Sequence, residues 1–221
     1  MNYIIFDLEF TVLSKKQYMA DILEIGAIKL SDEAGQLAMV DLFHSHVRPN
    51  QYRSIGTMTT KFTGITQEQV DQAPVFTHVM ASFREWLNQG NNPYYLCSWG
   101  PDDKHQLLRH CTQHNVNMKW IRNYNDIQLL FTRLQGGDNG QRFGLKKALK
   151  VREISFFGKQ HNALDDAFNT AKLFTDIFPQ LSLEQNQVSD QPIYASSIVY
   201  SIGEEKNSPF GNLASLLGMV I

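Results

Sequence analysis

Only two cysteines, Cys97 and Cys111, occur in 221 residues, and they form no CxxC pair. That excludes a disulfide framework and a cysteine zinc site, and leaves two structural thiols of a reducing compartment. Long apolar runs are missing too: none approaches the roughly 18–20 residues that cross a bilayer. The first residues lack the charged start and small-residue cleavage site of a signal peptide, and strand-forming sequence begins almost at residue 1. The expectation is a soluble, cytoplasmic protein with no membrane partner. A strong charge of one sign is also absent. The net charge is −2 and the pI about 6.4, so there is no global electrostatic footprint for wrapping a long nucleic acid. Nucleic acid gripped locally, at an end or through metal ions, stays open. His110 and His114 have the i, i+4 spacing that zinc sites use, but no HExxH pattern or third ligand accompanies them. His44 and His46 share a strand face and read as merely exposed.

What is present is a globular composition, 43% apolar and 19% charged, in a chain long enough for one domain and an appendage. Three strand-like runs come first, at 3–9, about 22–30 and about 37–48, with the turn-rich "SDEAGQ" joining the last two as an antiparallel pair. Helical signals follow. Thr66 with Gln69 three residues on predicts a capping box, and Pro74 and Gly90 bracket an amphipathic helix. "YYLCSW" reads as a strand, "DDKHQLLRHCTQH" as a helix, "NYNDI" as a fifth strand running into "QLLFTRL". "GLKKALK" and "LDDAFNTAKLFTDIF" read as helices. A meander followed by alternation predicts an α/β protein with a mixed sheet covered by helices on both faces. Composition turns polar after Pro179. This divides the chain into a domain at 1–179 and a C-terminal extension at 180–221, whose apolar end suits core packing, self-association or a protein partner.

The chemistry-bearing residues are acids in unexpected places. Asp7 and Glu9 interrupt the apolar run "YIIF", and residues two apart on a strand share a face. Two carboxylates side by side repel unless a positive charge joins them. Asp102 and Asp103 follow the "YYLCSW" strand, and Asp165 and Asp166 open a later helix, with His161 just before it. Acids at helix starts also serve as caps. Asp165 and Asp166 lie about equally far from the stripe of Leu164, Ala167, Phe168, Ala171, Phe174 and Phe178, so periodicity does not choose between them. Arg142, Lys146, Lys147, Lys150, Arg152 and Lys159 give 141–160 a basic excess, which suits a phosphate backbone or a solvated helix face.

"FDLEFT", "SWGPDDKHQLLRHC" and "GLKKALKVREISFFGKQHNALDDAFNTAKLF", with "LEIGAI" and "FTGITQEQV" in support, resemble in order the motifs of the DEDDh, or DnaQ-like, 3′–5′ exonuclease superfamily. The resemblance covers about residues 3–178 and leans to the branch of KapD-type proteins and the exonucleases that trim histone mRNA and small RNAs. It implies an RNase H-like fold with a five-stranded sheet, three antiparallel strands and then parallel ones.

Carried over by motif, Asp7, Glu9, Asp103 and Asp166 would be the acids and His161 the base. Asp102 competes with Asp103, because the loop before that helix varies by a residue within the branch. The implied cofactor is a pair of divalent ions, Mg²⁺ or Mn²⁺, and the implied product a nucleoside 5′-monophosphate. Phe10 and Thr11 would meet the terminal sugar, and Phe62 and Ile65 would stack on or wedge between terminal bases. The expected substrate is a single-stranded 3′ end, RNA ahead of DNA. The alternatives are a DNA proofreading or repair enzyme and a silent binding module of the same fold.

Overall fold

The computed structural model describes residues 1–13, 19–33, 35–51, 53–137 and 141–187. All of them fall in one compact unit bounded at Met1 and Gln191. Most of the extension expected at 180–221 therefore lies outside the described residues. Residues 181–187 run beside the last strand.

The sheet is built from β1 (Asn2–Phe10), β2 (Ile22–Glu33), β3 (Gln36–His46), β4 (Tyr94–Ser98) and β5 (Tyr124–Asp126), in the order β3-β2-β1-β4-β5. β1, β2 and β3 form the antiparallel meander, and β4 and β5 add in parallel to β1. This is the mixed five-stranded sheet expected from the sequence. The helices are α1 (Thr57–Thr63), α2 (Gln67–Gln72), α3 (Phe76–Asn88), α4 (Asp102–Gln113), α5 (Ile127–Leu134), α6 (Leu145–Val151) and α7 (Ala163–Ile177).

Alternation along β1 makes two cores. Ile4, Phe6 and Leu8 pack with α3 and α4 through Val79, Phe83, Leu107 and Cys111. Tyr3 and Ile5 pack on the other face with α5, α6 and α7 through Phe131, Leu149 and Phe174. Both cysteines are buried free thiols. The expected capping box is formed: the Gln69 amide N–H donates to the Thr66 hydroxyl, and the Thr66 N–H donates to Gln69 Oε1.

Helix α1 has no counterpart in the sequence reading. It is a threonine-rich single stretch with no side-chain cap, held instead by a left-handed Gly64 whose N–H returns to the Thr60 carbonyl. Along the outer edge, Asn125 and Asn123 exchange hydrogen bonds with Glu184 and Asn186, so residues 181–187 cover the open side of β5.

Candidate active site

The odd-numbered face of β1 explains its two acids. Tyr3 and Ile5 lie beneath the body of α7, and Asp7 and Glu9 follow where that helix begins. Gly26 of β2, directly opposite Asp7, sets how close α7 comes. A Cβ there would sit 2.3–2.5 Å from the backbone of Ala163 and Leu164. The helix thus rests its first turn on bare strand backbone, and Asp166 is delivered beside β1.

The loop before α7 is folded back by the two aspartates. Asp165 Oδ2 accepts the Lys159 N–H at 2.7 Å, and Asp166 Oδ2 accepts the His161 N–H at 2.9 Å. Asn162 caps the helix by accepting the Asp165 N–H. His161 sits in the left-handed region at φ 62°, a conformation that costs energy in a non-glycine residue and clusters at functional sites. Its ring lies over Phe62, with centroids 4.0 Å apart. Ligand atoms of Glu9, His161 and Asp166 lie within 4.8 Å of one another. Asp166 is 8% exposed, and its Oδ1 is buried without a hydrogen-bond partner.

The second acidic pair separates cleanly. Past the end of β4, Gly100 adopts φ 104°, and its carbonyl accepts hydrogen bonds from Ser98 Oγ and the Tyr124 hydroxyl. This turn starts α4 so that Asp103 points inward, 6% exposed, with Oδ1 accepting the Leu8 N–H at 3.2 Å. Leu8 lies between Asp7 and Glu9. Asp102 is exposed.

Four carboxylates thus converge, and their charges oppose one another. Burial, then Asp103, Glu9 and Asp166, hold the Asp7 carboxyl well above its usual range. Burial chiefly raises Asp103 as well. Burial, then Asp166 and Glu24, push Glu9 up to about 9, with Lys159 offsetting part of it. Asp166 is raised to about 6, by burial first and against the His161 N–H. Such a set favours a cation, and hard carboxylate oxygens suit Mg²⁺ or Mn²⁺. The orphaned Asp166 Oδ1 fits that reading. His161 goes the other way. Burial and then Lys159 lower its pKa, leaving the imidazole neutral near pH 7.

The remaining candidates are placed differently. Phe10 is half-buried and packs on the α3/α4 core. Thr11 is buried and tied to Asp21 twice, through its N–H and its Oγ1. Phe62 faces His161. Ile65 is 3% exposed and packs with Leu23, Ile55 and Val70, so its side chain is not brought to the acids. In the basic stretch, Arg142 pairs with Asp126 and Arg152 with Asp176, which leaves less of it for a phosphate backbone. His110 is a core residue, 2.9 Å from the Ala20 carbonyl.

Glu24 was missed as a site residue. It is fully buried on β2 opposite Glu9, and its carboxylate accepts the Asn162 Nδ2–H and the Ala163 N–H, at 3.0 and 3.1 Å. Its signal in the sequence was an acid inside the apolar run "ILEIGAI".

The RNase_T family model, described as Exonuclease, matches residues 4–174. The probable 3′–5′ exonuclease KapD of Bacillus subtilis is 29% identical over 177 residues, covering 78% of this chain and 82% of that protein. ERI1 exoribonuclease 2 of Danio rerio is 31% identical over 191 residues, covering 77% of this chain but only 34% of that longer protein. Among solved structures, the nuclease domain of 3′hExo, a DEDDh family member bound to rAMP, superposes with a TM-score of 0.74 at 23% identity. That match spans 84% of this chain and 96% of the other.

Proposed function

The chain belongs to the RNase_T family of exonucleases, a 3′–5′ exonuclease by that membership, and we propose that it trims single-stranded RNA in preference to DNA. The RNA preference is supported by the exoribonuclease name of the zebrafish relative and the rAMP bound to the 3′hExo domain.

The observation that carries the site assignment is the convergence of Asp7, Glu9, Asp103 and Asp166, with Asp166 Oδ1 buried and unpartnered. These four acids would hold two divalent ions, Mg²⁺ or Mn²⁺. Bound there, such ions stabilise the attacking and leaving oxygens of an in-line displacement.

The chain's own groups supply the rest. His161, kept neutral by burial, accepts the proton of the attacking water at a ring nitrogen. Asp166 fixes the backbone that carries that ring. Asp103 ties the start of α4 to β1 through Leu8, so the acids of two elements keep their spacing. The Phe62 ring offers an apolar face to a terminal base, and the backbone at Phe10 and Thr11, braced by Asp21, lies at the end of β1 where a terminal sugar would sit. The leaving group is the shortened strand with its 3′-hydroxyl, and the product is a nucleoside 5′-monophosphate.

Degradation of matched 5′-labelled single-stranded RNA and DNA tests the reading, run with Mg²⁺, Mn²⁺ or EDTA. A ladder shortening from the 3′ end, faster on RNA, abolished by EDTA and by Asp7→Asn, is the expected result. Faster turnover of DNA would move the enzyme to proofreading or repair. No ladder on either polymer would favour the binding-module alternative.

A further inference from the structure

The face that carries Asp7 and Glu9 continues sideways across the sheet. On β2, Gly26 opposes Asp7 and Glu24 opposes Glu9; on β3, His44 opposes Gly26 and His46 opposes Glu24. Directly opposed residues share a face. His44, exposed as expected from the sequence, and His46, partly buried, both turn onto Glu24, with side chains 33% and 23% exposed. His44 Nε2 lies 2.6 Å from Glu24 Oε1, and His46 Nε2 lies 3.9 Å from the same atom. Ligand atoms from all three residues lie within 4.8 Å of one another.

We propose that Glu24, His44 and His46 form a second metal site, separate from the four catalytic acids, that takes a divalent transition ion of the zinc class with water completing its shell. Two imidazoles and one carboxylate are a donor set that zinc uses, whereas Mg²⁺ prefers oxygen. Bonds of about 2.0–2.2 Å to a tetrahedral ion place two ligand atoms about 3.3 Å apart. The observed 2.6 and 3.9 Å each lie within an ångström of that separation, and both histidine rings are at least partly exposed.

Asn162 and Ala163 supply the outer hydrogen bonds that orient a ligating carboxylate. Because those two residues directly follow His161, the ion would brace β3 against the segment that carries the base. The site stands whether or not the exonuclease reading does.

The test is Zn²⁺ binding by the EDTA-stripped full chain in excess Mg²⁺, which fills the carboxylate site, measured by competition with a chromophoric chelator. Wild type is compared with His44→Gln/His46→Gln and with His46→Gln alone, which leaves the His44–Glu24 contact in place. Far-UV circular dichroism checks the fold. Wild type should hold one equivalent, and the variants should lose at least about tenfold in affinity. Co²⁺ at the site should give a tetrahedral visible spectrum in wild type that is absent from the double variant. Equal Zn²⁺ affinity and stoichiometry in wild type and either folded variant would overturn the proposal.

Discussion

The His161 N–H donates to Asp166 Oδ2 at 2.9 Å, and the other oxygen of that carboxylate is buried with no protein partner. One side chain therefore does two things. It pins the residue proposed as the base in a left-handed conformation, and it presents an acceptor to whatever cation joins the cluster. The neighbouring Asp165 spends its carboxylate on the Lys159 N–H instead. Two adjacent aspartates in one helical turn are thus assigned different work by the direction in which the loop folds back.

The same division of labour at α4 gives the first prediction. Asp103→Asn should lower kcat by about 100-fold or more, since replacing even a group that only orients a metal ligand costs 10–100-fold. Asp102→Asn, at an exposed position, should stay within a few-fold of wild type. Single-turnover rates on a labelled oligomer check both, with circular dichroism confirming the fold.

Removing the proposed base should cost about 10²–10⁴-fold, the usual range for a positioned general base, in His161→Ala. The pKa of His161 is lowered by burial and by Lys159, so the acidic limb of log kcat/KM should fall below about 6.5, the unperturbed value for histidine. Lys159→Gln removes a like charge and should move that limb to higher pH. A profile unmoved by Lys159→Gln would detach the limb from His161.

Metal-free stability should fall as pH rises. Glu9 and Asp166 titrate near 9 and 6 in the folded chain, above their ordinary values of 4.5 and 3.8, so between those limits the folded state binds more protons than the unfolded one. Their contribution is whole below about pH 4 and is lost as pH passes 6 and then 9. Each pH unit crossed by one such group costs up to about 1.4 kcal/mol, which corresponds to roughly 2–4 °C per kcal/mol in Tm. Thermal melts in EDTA should show this decline above pH 5, and added Mg²⁺ should recover more Tm at pH 8 than at pH 6.

Much of this architecture was legible because its signals are local. The apolar run at 3–6, the Thr66–Gln69 capping box and the alternation of β4 through α7 each appear within a few residues. Helix α1 was not legible, since its threonines favour strands and its cap is a backbone contact. The choice between Asp165 and Asp166 was not legible from periodicity either. It depends on how the loop at 158–161 folds back onto them. Glu24 and the histidines that turn onto it could not be read as a group, because their meeting rests on the register of β2 with β3. The side chain of Ile65 is committed to a small core with Leu23, Ile55 and Val70, residues far enough apart in the chain that only the tertiary fold brings them together.

Gly26 tests how the fold positions the site. Gly26→Ala should destabilise the protein by about 1–3 kcal/mol, the range for overpacking a filled contact. The displaced first turn of α7 should also lower kcat at temperatures where the variant is fully folded. Urea denaturation gives the first quantity and single-turnover rates give the second. Normal stability in the Gly26→Ala variant would mean that α7 does not need its close approach to bare backbone.

The most direct test of the central claim is the identity of the product formed in ¹⁸O-labelled water. A single-stranded oligoribonucleotide digested with Mg²⁺ should release nucleoside 5′-monophosphates carrying one ¹⁸O in the phosphate, leaving an unlabelled shortened strand with a free 3′-hydroxyl. Label on the shortened strand, or release of 3′-phosphates or 2′,3′-cyclic phosphates, would contradict water attack at a 3′-terminal phosphodiester by this acidic cluster.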